Sequence, residues 1–110
     1  MMRNKFGNKK ITFMGETFDS KREYERYREL RLMERAGAIH DLMRQVKFLL
    51  VPAQYENGKC VERPVYYIAD FTYWEGDKMI VEDAKGVRTP EYIIKRKLML
   101  QQHGVRIREV

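Results

Sequence analysis

The sequence predicts a small α/β (α+β) domain in which two helices flank a mixed four-stranded sheet, in the order αβββαβ. Three observations carry this. Ser20 stands three residues before Glu23, the spacing of a capping box, and opens an amphipathic stretch. Val65–Trp74 and Lys78–Lys85 are β-rich runs joined by Glu75-Gly76-Asp77, a tight connection that pairs them antiparallel. Thr89-Pro90-Glu91 then starts a second helix, before a last β-rich segment. A helix between two strands of one sheet implies a parallel crossover.

In chain order, residues 1–14 read as a basic arm and residues 15–110 as a single domain. Arg3, Lys5, Lys9 and Lys10 all precede the first acid, Glu16. The first helix runs from Ser20 to about Ala36, where Gly37 serves as its stop. At 100° per residue, Tyr24, Tyr27 and Leu30 share one face, and Glu23 falls within it. Glu25 and Glu29 point away. Gln45–Val51 reads as a strand, and Tyr55–Arg63, with Asn57-Gly58, as a turn or loop. The second helix ends near Gln102, before His103-Gly104, and Val105–Val110 reads as the final strand.

Composition narrows the function. Lys plus Arg number 22 against 16 acids, a formal charge of +6, which favours a polyanionic partner. Cys60 is the single cysteine, and His40 and His103 stand far apart. No disulfide, Cys-cluster zinc site or histidine pair is expected. The longest apolar run, Phe48–Val51, stops at Pro52, far short of the ~20 residues of a membrane span. No apolar segment of secretory type follows the basic arm, so the expectation is a cytoplasmic protein with no membrane partner.

The second strand contains Asp70, although Asp is disfavoured in strands and a buried unpaired carboxylate is costly. The third ends Val81-Glu82-Asp83-Ala84-Lys85-Gly86. Alternation puts Asp83 and Lys85 on one sheet face and Glu82 on the other, so Glu82 reads as a solvated or packing-edge acid. Antiparallel pairing brings Asp70 beside Asp83. Two carboxylates suit a hard divalent cation such as Mg²⁺, which lowers the pKa of a bound water and screens phosphate charge. A neighbouring lysine stabilises developing charge. Acid-x-Lys alone is a weak signal, since Asp19-Ser20-Lys21 matches it too. Context separates the two: Asp83-Ala84-Lys85 ends an apolar strand, one hairpin after Asp70.

Glu23 on a helix, Asp70, then Asp83-x-Lys85 resembles the PD-(D/E)XK nuclease superfamily. Phe18-x-Ser20-Lys21-x-Glu23, Gln45-x-x-Phe48-x-Leu50, Tyr67-x-x-Asp70-Phe71 and Val81-Glu82-Asp83-x-Lys85-Gly86 with Thr89 are similar to a small phage-encoded family of endodeoxyribonucleases related to Holliday-junction resolvases. The resemblance covers roughly residues 15 to 100. Ala69-Asp70 replaces the superfamily's Pro-Asp pair. The resemblance implies a restriction-endonuclease-like core and catalytic roles for Glu23, Asp70, Asp83 and Lys85. It further implies a metal site at Glu23, Asp70 and Asp83 taking Mg²⁺ or Mn²⁺, with no small-molecule cofactor, and cleavage of branched or recombining DNA.

Gln45, Arg88, Thr89 and Lys95 are the candidate nucleic-acid contacts. Arg96 and Lys97 read as solvated charges that add to the field, and Tyr66, Tyr67, Phe71, Tyr73 and Trp74 as core or cross-strand residues. Glu23 carries two compatible readings, capping acid and site acid. The competing functions are a noncatalytic nucleic-acid-binding module of the same fold and an RNA-directed nuclease. A homodimer is expected, because one domain carries one site and symmetric cleavage of two strands needs two.

Overall fold

The computed structural model describes residues 10–84 and 88–110. The described residues open with a hairpin of β1 (Ile11–Phe13) and β2 (Glu16–Phe18), followed by α1 (Lys21–Arg35) and the long strand β3 (His40–Val51). A second hairpin, β4 (Gln54–Glu56) and β5 (Lys59–Glu62), leads to β6 (Val65–Glu75) and β7 (Lys78–Asp83). Helix α2 (Pro90–His103) and the short strand β8 (Arg108–Glu109) complete it. The central sheet has the order β3-β6-β7-β8, antiparallel except for the parallel β7–β8 pair. Among the described residues the architecture is therefore a mixed four-stranded sheet with two helices, and two small hairpins beside it.

The helix signals act as anticipated. Ser20 caps α1, its hydroxyl accepting from the Glu23 N–H at 3.1 Å. Thr89 caps α2 by accepting from the Tyr92 N–H at 3.1 Å, with Pro90 opening the helix. Three details differ from expectation. Residues 11–14 are not all arm, because the boundary at 14 falls in the turn of the β1–β2 hairpin. Residues 1–9 of the arm lie outside the described residues. Of the turn and loop readings of 55–63 the turn holds, but strands flank it, because Asn57 and Gly58, with φ of +49° and +78°, supply the left-handed pair that a two-residue hairpin turn needs. Only Arg108 and Glu109 of the final segment pair as a strand.

Two cores form on opposite faces of the sheet. Leu30, Ile39, Phe71, Tyr73 and Ile80 pack on the α1 side. Leu50, Tyr67, Ala69, Val81, Tyr92, Met99 and Ile107 pack on the α2 side. Strand β7 divides by strict alternation, with Ile80 toward α1 and Val81 toward α2. Strand β6 does not. Tyr67 and Ala69 face α2, whereas Phe71 and Tyr73 face α1, so the strand turns over at Asp70. Strand β3 turns over at the facing position, Gln45, whose φ is +54°. A left-handed glutamine inside a strand is a strained conformation, of a kind that clusters at functional sites.

Candidate active site

The turnover point is also where β6 and β7 part. Phe71 pairs with Glu82, and the ladder between these strands ends there. Asp70 lies one residue beyond the last pair, and its Oδ2 accepts from the Ala84 N–H at 2.8 Å. The carboxylate thereby occupies the fork and satisfies a backbone donor that the separating strand leaves open. On the other side of the fork, Asp83 is 3 % exposed, and its Oδ2 accepts from the Tyr67 hydroxyl at 2.6 Å. Burial and the Asp83 charge push the Tyr67 hydroxyl well above its usual range, so it stays a donor.

Glu23 reaches the fork from the first turn of α1, where it is 2 % exposed. Its Oε1 accepts from the Asp19 N–H at 2.8 Å, so one oxygen serves the helix start. Its Oε2 accepts from Gln45 Nε2 at 2.9 Å and lies 3.5 Å from Arg44 Nη2. The same Gln45 nitrogen lies 3.4 Å from Asp70 Oδ1, so one amide spans the two acids. One carboxylate therefore serves the helix start with one oxygen and reaches Gln45, beside Asp70, with the other.

The electrostatics of the cluster are strained. Burial, followed by the charges on Asp83 and Glu23 and a hydrogen bond shared with Asp83, pushes the Asp70 carboxyl up to about 8. The Ala84 N–H works against that rise. Burial also raises Glu23, opposed by the Asp19 N–H and the Arg44 charge. Arg44 is itself pinned, its guanidinium 3.9 Å above the Phe18 ring and bonded to Glu16 and to the Thr17 carbonyl.

A family model described as "Protein of unknown function (DUF1064)" matches residues 3–109. The chain belongs to this family. No curated protein and no solved structure matches it.

In this DUF1064 chain the structure gathers Glu23, Gln45, Asp70 and Asp83 at the fork. Lys85 lies outside the described residues. The other candidate contacts have partners outside the fork. Arg88 donates to Glu109, Thr89 is the α2 cap, and Lys95 pairs with Glu91 at 3.0 Å. Glu82 corrects the sequence reading: it is wholly buried, not solvated, and both its oxygens accept from Arg26 of α1, with a further bond from the Tyr73 hydroxyl. Alternation assigns its face correctly, but it gives no sign of the arginine waiting there.

Tyr67 and Arg44 are the residues that sequence reasoning missed. Tyr67 reads as an ordinary core aromatic, and only the register of β6 against β7 sets its hydroxyl on Asp83. Among the described residues, no group of three or more histidines, cysteines or acids forms a ready metal cage. The donor set suits Mg²⁺ nonetheless, since that ion commonly takes one or two carboxylates and keeps waters or substrate phosphates for the rest. Asp70 and Asp83 provide two such carboxylates. Their crowding is of the kind a divalent cation relieves. No helix among the described residues is long and apolar enough to cross a membrane.

Proposed function

We propose that the chain is a metal-dependent endodeoxyribonuclease with a PD-(D/E)XK, restriction-endonuclease-like core, acting on branched or recombining DNA. It would work as a homodimer in the cytoplasm, the host's if the gene is phage-borne. One observation carries this reading: Asp70 and Asp83 meet at the fork of two strands, with Glu23 joined to Asp70 through Gln45.

In this reading Asp70, Asp83 and Glu23 would hold Mg²⁺ or Mn²⁺. The ion supplies Lewis acidity toward the phosphate and a more acidic water. Tyr67 fixes the rotamer of Asp83 by its hydroxyl bond. Asp70 is fixed by the Ala84 N–H, and Gln45 sets its distance from Glu23. Arg44 balances the Glu23 charge. Lys85 has the role the resemblance gives it, orienting water or stabilising charge on the phosphate. Hydrolysis adds water across the P–O3′ bond and leaves a 5′-phosphate and a 3′-hydroxyl.

The test is a cleavage assay with Mg²⁺ or Mn²⁺ on junction, flap, duplex and single-stranded DNA, and on RNA. Asp70→Ala, Asp83→Ala and Lys85→Ala are each expected to lower cleavage by orders of magnitude while the fold survives. Full activity in any of them removes that residue from the site. Binding by the unaltered chain without cleavage assigns the noncatalytic reading, and cleavage of RNA alone assigns the RNA-directed one. Sedimentation equilibrium with and without junction DNA checks the dimer, which a monomer at high concentration overturns.

A further inference from the structure

A second feature lies one strand away from the acids. Between α2 and β8 there is a cleft of about 480 Å³ lined by Arg96, Lys97, Leu100, Arg106, Ile107 and Glu109. Its charge is unevenly matched. Glu109 accepts from Arg88, from the Tyr92 hydroxyl and from Arg96, so its charge is already shared. Among the described residues, Lys97 and Arg106 have no acidic partner, and both are exposed. Two uncompensated cations thus line the cleft together with the aliphatic side chains of Leu100, half-exposed, and Ile107, buried.

We infer that this cleft is a phosphate-binding groove that seats the backbone of a DNA strand next to the candidate active site, an inference that rests on the DNA reading above. Three features favour a sugar–phosphate chain. Lysine and arginine bind phosphate oxygens, and the aliphatic side chains accept the deoxyribose. Among the described lining residues there is no aromatic ring, so the bases have no stacking platform and the contact is indifferent to sequence. The groove also adjoins the acids. Glu109 is the register partner of Asp83 across the parallel β7–β8 pair, a separation of roughly 5 Å between strands. A strand whose scissile phosphate lies at Asp70 and Asp83 extends naturally over β8 into the cleft.

The experiment measures binding rather than cleavage. Fluorescence anisotropy of labelled duplex and four-way-junction DNA is followed with the full chain in EDTA, between 50 and 200 mM salt. Lys97→Glu/Arg106→Glu is expected to bind at least tenfold more weakly, and its log–log salt slope to fall by about two. Both side chains are exposed, so an unchanged melting curve confirms that the fold survives. Lys59→Glu/Arg63→Glu, the same charge change in β5 and just after it, is expected to stay within twofold of the unaltered chain. Unchanged DNA affinity in the cleft variant overturns the proposal. Equal losses in both variants also overturn it, because they reveal a diffuse field. Loss of polyglutamate binding with DNA binding intact overturns it as well, by making the cleft a protein-docking surface. The two readings fail separately: an unaltered chain that binds in EDTA but does not cleave with Mg²⁺ defeats the nuclease assignment and leaves the groove standing.

Discussion

At the scale of single residues, the ionisation of Asp70 works against folding. Its carboxyl titrates near 8 in the fold, against an ordinary value near 4 in the unfolded chain. The folded state therefore holds a proton that the unfolded state has lost. The stabilisation this gives is complete below pH 4 and is lost as pH rises through 8. In EDTA, the melting temperature is expected to fall between pH 5 and pH 8. Asp70→Asn keeps an acceptor for the Ala84 N–H and removes the titration, so it is expected to melt higher than the parent at pH 8 while cleavage drops about a thousandfold or more. A lower melting temperature for Asp70→Asn contradicts this account. Tyr67→Phe deletes only the donor to Asp83. It is expected to retain the packing against Phe48 and to lose roughly 10- to 100-fold in activity, as partners of metal ligands commonly do. Steady-state kinetics across pH and Mg²⁺ concentration checks this, and wild-type kinetics would release Tyr67 to a packing role.

At the scale of elements, α1 is locked to β7 by a buried ion pair. Arg26 lies against Glu82 at 2.6 Å, beside the Tyr73 hydroxyl. This side of β7 carries structure, while the opposite side carries Asp83. Glu82→Ala leaves Arg26 only its exposed partner Glu29 and removes charged hydrogen bonds worth about 2–3 kcal/mol. Denaturant titration is expected to show a loss of that order, with Glu82→Gln much milder because it can still accept from arginine and tyrosine. A loss under 1 kcal/mol for Glu82→Ala contradicts the lock. Glu82→Ala is therefore expected to lose stability, and Asp83→Ala, on the proposed nuclease reading, to lose cleavage instead.

Considered as a whole molecule, the chain is expected to be most stable near pH 5. The limit on the acid side comes from Glu109, whose carboxyl is held at about 2 by Arg88, Tyr92 and Arg96. Its folded value lies below its unfolded one, so its stabilisation is present above pH 4.5 and lost as pH falls toward 2. Asp70 and Glu23 act in the opposite sense on the alkaline side. Urea midpoints at pH 2.5, 5 and 8 in EDTA should therefore peak at the middle value. Divalent cation is expected to restore the midpoint at pH 8, by binding the folded state alone. A midpoint that rises steadily to pH 8 without metal contradicts the crowding of the acids.

The sequence by itself determined the framework. Caps at Ser20 and Thr89, the Glu75–Lys78 connection and the alternation in β7 are local signals, and each acts through atoms within a few residues of itself. That is why the order αβββαβ and the burial of Glu23 were legible. The reversal of faces at Gln45 and Asp70 was not, because alternation assumes an unbroken pleat and nothing local marks the turnover. The bonds from Tyr67 to Asp83, from Gln45 to Glu23 and from Arg26 to Glu82 join residues 16, 22 and 56 positions apart. Only register and helix packing bring such groups into hydrogen-bonding distance. The tertiary structure alone therefore decided which acids share the fork, which acid is locked in an ion pair, and which cations beside α2 remain uncompensated.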